Sequence, residues 1–178
     1  MKTIRILAII LPWTLAGTEV PAADIPHGPG LGQPASAADI AAWDTDVTPD
    51  GTGLPSGSGT AEAGARVYAQ HCLSCHGENG LGDSGDQLAG AQHKLTDEWP
   101  EKTIGTFWPY APTLFDFIRR SMPMQTPGSL SDDDTYAVTA YLLHLNGIIG
   151  LKDVMNSATM PKVQMPNRDG FIDLHDAR

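Results

Sequence analysis

Cys72, Cys75 and His76, in the run Cys72-Leu73-Ser74-Cys75-His76, are the residues of this chain best suited to chemistry. Two thiols three positions apart lie on the same side of one helical turn. Both can therefore form thioethers to the two vinyl groups on one edge of a haem macrocycle. The adjacent His76 then falls beneath the iron and donates an imidazole nitrogen as the proximal ligand. C-x-x-C-H is the spacing of c-type haem attachment. A redox dithiol needs no histidine directly after it, and a zinc site needs two further ligands nearby, whereas the chain has no other cysteine. We therefore assign one haem c to Cys72 and Cys75, with His76 on the iron.

The second axial ligand is sought in Met122-Pro123-Met124. A thioether is soft and neutral, which favours ferrous iron and raises the reduction potential relative to two imidazoles. Met155, Met160 and Met165 lie further along and are weaker candidates.

These groups need elements to hold them. Thr60 is placed as the N-cap of a helix from Ala61 to about Cys72, with Glu62 at its positive end. Gly64 and Tyr68, four apart, share one face of it. After His76, the turn from Gly77 to Gly82 is rich in glycine and lets the backbone leave a crowded site. It follows no strand and lacks the lysine of a P-loop, so phosphate binding is set aside. Asp83 to Gly105 shows no periodicity and reads as a polar loop, with His93 solvated within it. Phe107, Trp108, Tyr110, Phe115 and Phe117 crowd together and suit a haem wall. Pro112 to Arg120 reads as a short helix. Its Arg119 and Arg120 have three uses open: steering an anionic substrate, pairing with haem propionates, or complementing the helix dipole. Ser131 caps a last helix running to about Asn146 and stopped by Gly147, with Asp132, Asp133 and Asp134 at its positive end rather than on a cation. Val138, Tyr141, Leu142 and Leu145 form its apolar stripe, and His144 is assigned to its surface.

Around this body, residues 1–23 have the order of a secretory signal peptide: Lys2 and Arg5, an apolar run from Ile6 to Leu15, then small residues, with cleavage near Ala22 or Ala23. The apolar run is too short to span a membrane, and no transmembrane segment is expected in the mature chain. Residues 24–59 are rich in Pro and Gly and read as an N-terminal arm. Ala37 to Trp43 is its one helical stretch, started by Ser36, and Ile40 and Trp43 offer an apolar face for docking; a floppy linker is the competing reading. Residues 60–147 form the haem domain. Residues 148–178 are a C-terminal extension, extended and packed on it. Of the 178 residues 41% are hydrophobic and 18% charged, and the formal net charge is −10. That composition describes an ordinary globule, and an acidic exported protein is a poor candidate for nucleic acid or anionic membranes.

Gly64 and Tyr68, eight and four positions before Cys72, together with Met122-Pro123 ahead of the last helix, resemble class I cytochromes c. The resemblance implies an all-α class I cytochrome c fold, three to five helices around one covalent haem, here with extended N- and C-terminal arms. It implies that Gly64 and Tyr68 let the first helix cross closely against the last. It also implies Met122 as the sixth ligand, Met124 being the alternative and otherwise an apolar lid.

Longer phrases narrow the resemblance: AAWDTDVTPDGTGLPSGSG (Ala41 to Gly59), TFWPYAPTLFDFIRRSMP (Thr106 to Pro123), LSDDDTYAVTAYLLHLNGIIG (Leu130 to Gly150) and MPKVQMPNRDGF (Met160 to Phe171). They are similar to the cytochrome subunit of the periplasmic sulfane or sulfite dehydrogenase of the sulfur-oxidising (Sox) system. In that family the cytochrome pairs with a molybdenum-cofactor subunit that oxidises the sulfur substrate, and it passes the electrons on singly. Many such subunits carry two haems, whereas this chain has one C-x-x-C-H and resembles their first haem domain.

The expected function is therefore that of a periplasmic monohaem electron-transfer protein with no catalytic residue of its own. Its expected donor is a molybdenum-containing sulfite or sulfane dehydrogenase, and its acceptor a downstream cytochrome or oxidase. A general periplasmic shuttle serving another dehydrogenase is the alternative. A haem enzyme or gas sensor would need an open iron site, against which two axial ligands argue.

Overall fold

The computed structural model describes residues 31–172 and Leu174, so the signal peptide expected at residues 1–23 lies outside the described part, as do residues 24–30 of the arm. Two units are distinct, Met1–Ile40 and Ala41–Arg178. Helix α1 (Ala37–Trp43) straddles that boundary. Its start is set by Ser36, whose hydroxyl accepts from the Asp39 N–H at 3.2 Å. No residue of α1 is buried, and Trp43 is 86% exposed.

In the second unit the order is β1 (Ser58–Thr60), α2 (Ala61–His71), α3 (Leu73–His76), α4 (Ile104–Phe107), α5 (Ala111–Ser121), α6 (Asp132–Leu145) and β2 (Val154–Asn156). Helices dominate, as the sequence implies. The Thr60 side chain accepts from the Ala63 N–H at 3.3 Å and starts α2. Ser131 accepts from the Asp134 N–H at 3.1 Å and starts α6. Pro112 sits in the first turn of α5.

The two helices that frame the body, α2 and α6, cross at very close range. A Cβ on Gly64 would stand 1.9 Å from the carbonyl oxygen of Ala137 and 2.8 Å from Cβ of Tyr141. One turn on, the rings of Tyr68 and Tyr141 meet with centroids 5.2 Å apart. Against the other side of α6, Phe115 stacks on Tyr136 at 4.4 Å, both fully buried. Thr135 and Thr139 are also fully buried in α6, and their hydroxyls donate to the carbonyls of Ser131 and Thr135. Backbone acceptors within the helix thus satisfy the buried polar groups.

Three features depart from the sequence reading. The loop expected through Gly105 ends in helix α4, started by a reciprocal cap in which the Thr103 N–H donates to Thr106 Oγ1 at 2.9 Å. Its apolar anchor, Ile104, is 2% exposed. The tail is not merely extended: β2 pairs antiparallel with β1, Gly59 opposite Met155, and a 3-10 turn follows at Met160–Lys162. Met155, Met160, Val163 and Met165 are all buried in the core. Among the aromatics expected as haem walls, Phe107 meets Phe171 of the tail edge-on at 5.5 Å, and Phe115 belongs to the α5–α6 core. Isolated aromatics carry no sign of which partner they will take, because only the fold brings Phe171 and Tyr136 to them.

Alanine in a helix interior ordinarily outperforms glycine by roughly 0.5–1 kcal/mol. Gly64→Ala should reverse that sign and destabilise the haem-loaded protein by about 1–3 kcal/mol, the usual cost of overpacking. Guanidinium unfolding measures it; a gain in stability would show that α2 and α6 can separate freely.

Candidate haem site

The end of α2 delivers the first cysteine. The Cys72 N–H donates to the Tyr68 carbonyl at 2.9 Å, and the chain then turns directly into α3, where the N–H groups of Cys75 and His76 both donate to the Cys72 carbonyl at 3.1 and 2.9 Å. Cys72, Cys75 and His76 therefore stand on one helical turn, each half-buried. Burial, and secondarily the nearby Cys75, pushes the Cys72 thiol up to about 11. Such a thiol is protonated at neutral pH, unlike the thiolate of a dithiol redox enzyme.

His76 is aimed by backbone. Its Nδ1 lies 2.7 Å from the Asp86 carbonyl oxygen. A carbonyl can only accept, so Nδ1 carries the proton and Nε2 is left for a metal. The loop that supplies this carbonyl is folded back on the motif: the Gly82 N–H donates to the His76 carbonyl at 2.8 Å and the Gly85 N–H to that of Cys75 at 2.7 Å. Glycine is needed for the return. Gly77 adopts φ 69°, and a Cβ on Gly85 would press to 3.2 Å on the His76 ring. The Tyr68 hydroxyl donates to the Gly77 carbonyl at 2.7 Å and ties the exit of the motif to α2.

Further apolar side chains come from α5 and the segments around it. Cys72, Leu88, Trp108, Met122 and Leu130 are partly buried side chains packed on the same core. Met122 caps α5, its N–H donating to the Ile118 carbonyl at 3.0 Å. Met124 is 71% exposed. Met155, Met160 and Met165 are 5%, 0% and 4% exposed and are used up by the polypeptide core. Trp108 and Phe117 meet at 5.6 Å.

Other singled-out residues fall elsewhere. Arg119 pairs with Asp132 at 3.0 Å, and Arg120 grips Asp116 and reaches Asp46 at 3.4 Å, so acidic side chains of the chain itself occupy both arginines. His93 is exposed. His144 is not a plain surface residue: its Nδ1 donates to the Ile149 carbonyl at 3.1 Å and fastens the start of the tail. Sequence reasoning missed Asn146, whose Oδ1 accepts from the Gly105 N–H at 3.1 Å while its Nδ2 donates to the Leu88 and Leu142 carbonyls. It also missed the Asp86 carbonyl, which has no side-chain signature, and the buried Asp116.

Among the described residues no group of three or more His, Cys, Asp or Glu side chains converges, so a zinc reading of the cysteines lacks its remaining ligands. One imidazole nitrogen left free, two thiols on the same turn and a half-buried thioether packed on the apolar core are the groups that haem c requires.

Residues 61–146 match the family model for Cytochrome c, and the chain belongs to the cytochrome c family. It carries haem c, attached through the C-x-x-C-H cysteines, and is an electron-transfer protein. Its architecture is similar to one chain in the crystal structure of the sulfane dehydrogenase SoxCD from Paracoccus pantotrophus, with 46% sequence identity and a TM-score of 0.75, covering 83% of this chain and 73% of that one. It is 34% identical over 90 residues to a thiosulfate dehydrogenase of Stutzerimonas stutzeri, and 30% identical over 104 residues to that of Psychrobacter arcticus. Those stretches cover 49% and 56% of this chain but only 28% and 31% of the two relatives. Among the described residues no helix is long and apolar enough to cross a membrane.

Burial pushes the Tyr68 and Tyr136 hydroxyls up to about 12. A folded-state value above the unfolded one, about 10, means stability that is full below that pH and lost as pH rises toward 12. Tyr68→Phe should therefore cost about 1 kcal/mol at neutral pH, the worth of one hydrogen bond, and flatten the loss of stability between about pH 10 and 12. Denaturant midpoints against pH test this; an unchanged alkaline slope would remove Tyr68 as a titrating group.

Proposed function

We propose that this chain is a periplasmic monohaem cytochrome that accepts single electrons from a molybdenum-containing sulfite or sulfane dehydrogenase and passes them to a downstream cytochrome or oxidase. The observation that carries the reading is the likeness to a chain of sulfane dehydrogenase, at 46% identity over 83% of this chain, which extends well past the haem domain. The signal-peptide pattern of residues 1–23 supports the periplasmic location.

In this reading Cys72 and Cys75 would hold the haem, and His76 Nε2 and the Met122 thioether are the groups that would bind its iron. Haem bound there would supply a one-electron couple, and a thioether paired with an imidazole would give it a higher potential than two imidazoles. The residues of this chain hold and orient. The Asp86 carbonyl fixes the His76 ring at 2.7 Å, and Trp108, Leu88 and Leu130 keep the crevice apolar. With both iron-binding groups drawn from its own side chains, the chain would carry electrons and leave the sulfur chemistry to its partner. The exposure of Met124 favours Met122 as the ligand, since a solvated thioether must be desolvated before it binds.

A general periplasmic shuttle is the second reading. Stopped-flow mixing of the haem-loaded chain with a molybdenum sulfite dehydrogenase and sulfite separates the two. Fast haem reduction that requires the enzyme supports the dedicated role; no reduction, or equal reduction by unrelated donor enzymes, favours the shuttle. Met122→Ala should abolish the far-red thioether-to-ferric-iron band, and a retained band would move the role to Met124.

A further inference from the structure

The segment between α5 and α6 that carries Met122 is bound to itself more than to the body. The Thr126 N–H donates to the Pro123 carbonyl at 2.9 Å and the Ser129 N–H to that of Thr126 at 3.2 Å, while the hydroxyls of Thr126 and Ser129 lie 3.1 Å apart. Among the described residues its one backbone tie outward is the Met122 N–H on Ile118, itself in α5. A loop of this kind is a stiff unit whose position is dictated by its two ends.

Both ends are held by charge. Arg119, in the last turn of α5, meets Asp132, in the first turn of α6, with Nε 3.0 Å from Oδ1. That pair closes the base of the loop. The next residue, Arg120, donates through Nε to Asp116 Oδ1 at 2.9 Å and through its terminal nitrogen to the other carboxylate oxygen. Asp116 is only 7% exposed, and its Oδ1 also accepts from the Val47 N–H at 3.1 Å. Arg120 reaches on to Asp46 at 3.4 Å. The arm at Asp46 and Val47 is thus fastened onto the end of α5 from which Met122 emerges.

Solvent screening leaves such half-exposed pairs only a small share of global stability. Geometry is the better reason for two of them at consecutive positions in the turn that leads to Met122. We propose that Arg119 and Arg120, with Asp132 and Asp116, are positioning residues that set the placement of the Met122 thioether and hence the strength of its bond to iron. The inference rests on Met122 being the ligand, as proposed above. The arm is part of the device: Val47 and Asp46 brace the same carboxylate and guanidinium from outside the helix.

The test is competition at ferric iron in the haem-loaded protein. Imidazole displaces the thioether, and loss of the far-red band gives the apparent affinity. Arg119→Gln and Asp116→Asn should each let imidazole bind roughly tenfold more tightly, the size of coupling found between members of one polar network. Arg119→Lys, which keeps the charge, should restore most of the difference. Thr60→Ala, which loses the N-cap bond from the Ala63 N–H at 3.3 Å and belongs to neither ion pair, serves as a control and should leave imidazole affinity at the parent value. If Arg119→Gln binds imidazole as the parent does, or if Thr60→Ala weakens the thioether equally, the positioning role is wrong. Should Asp116→Asn fail to fold, Arg119→Gln and Asp132→Asn, at partly exposed sites, carry the test. Met122→Ala in the same assay tells the two failures apart: a surviving band overturns the ligand assignment itself, and an abolished band with no effect of Arg119→Gln overturns only the latch.

Discussion

At the crossing of α2 and α6 a single carbonyl oxygen, that of Ala137, lies where a side chain on Gly64 would begin, and the backbone of the same residue leaves equally little room above Gly59. Two glycines, one in a strand and one in a helix, thus receive one residue of α6. The consequences run outward from there. Because Cys72 caps the end of α2, the crossing sets where the motif starts, and because Asn146 caps the end of α6, it sets where the Leu88 and Gly105 segments are tied down. Dispersion between such closely apposed backbones is small per atom, but it accumulates along both helices and is lost together if they part.

Backbone carbonyls supply most of the orientation at the site. His76 is aimed by the Asp86 carbonyl, Tyr68 ties down that of Gly77, and Asn146 divides its amide between two more. The charged pairs lie at the start of α6 and along α5 instead. This division is physically sensible. A formal charge next to a partly buried one-electron centre shifts its potential strongly in a low dielectric, whereas a carbonyl fixes a ring with a dipole alone.

The haem-attachment chemistry and the helix caps are legible in the amino-acid sequence itself. Thr60 and Ser131 announce their helices through hydroxyls that accept from N–H groups three residues on, and the crossing at Gly64 and Tyr68 follows from the resemblance to class I cytochromes c. What is not legible depends on distant partners. Nothing local says that Phe107 will face Phe171, that Met155 will lie opposite Gly59 in a ladder, or that the arginines will spend their charge on Asp132 and Asp116. The orienting acceptor of His76 is a main-chain oxygen, which every residue possesses, so no residue type could flag it. Helix α4 escapes because its cap is a Thr103–Thr106 pair followed by only one turn, too short for periodicity to register.

The arm and the tail change how the likeness to other proteins should be weighed. The family model ends at residue 146, the limit of what a haem domain alone requires. The match to the sulfane dehydrogenase chain covers 83% of this chain, more than that domain can account for. The additional segments are built into the body: β1 pairs with β2, the Asn167 amide donates to the Phe107 carbonyl at 2.8 Å, and the Arg168 guanidinium lies 5.2 Å over the Tyr110 ring. They brace the α4–α5 junction and the end of α5, which the bare helical bundle would leave uncovered. A c-type haem with two protein ligands offers every partner much the same one-electron couple, so it cannot by itself choose among donors. Discrimination has to reside in the polypeptide surface, and the surface that sets this chain apart from a minimal cytochrome is made by these braced extensions. The case for a dedicated sulfur-oxidising partner therefore stands on the arm and the tail more than on the C-x-x-C-H motif.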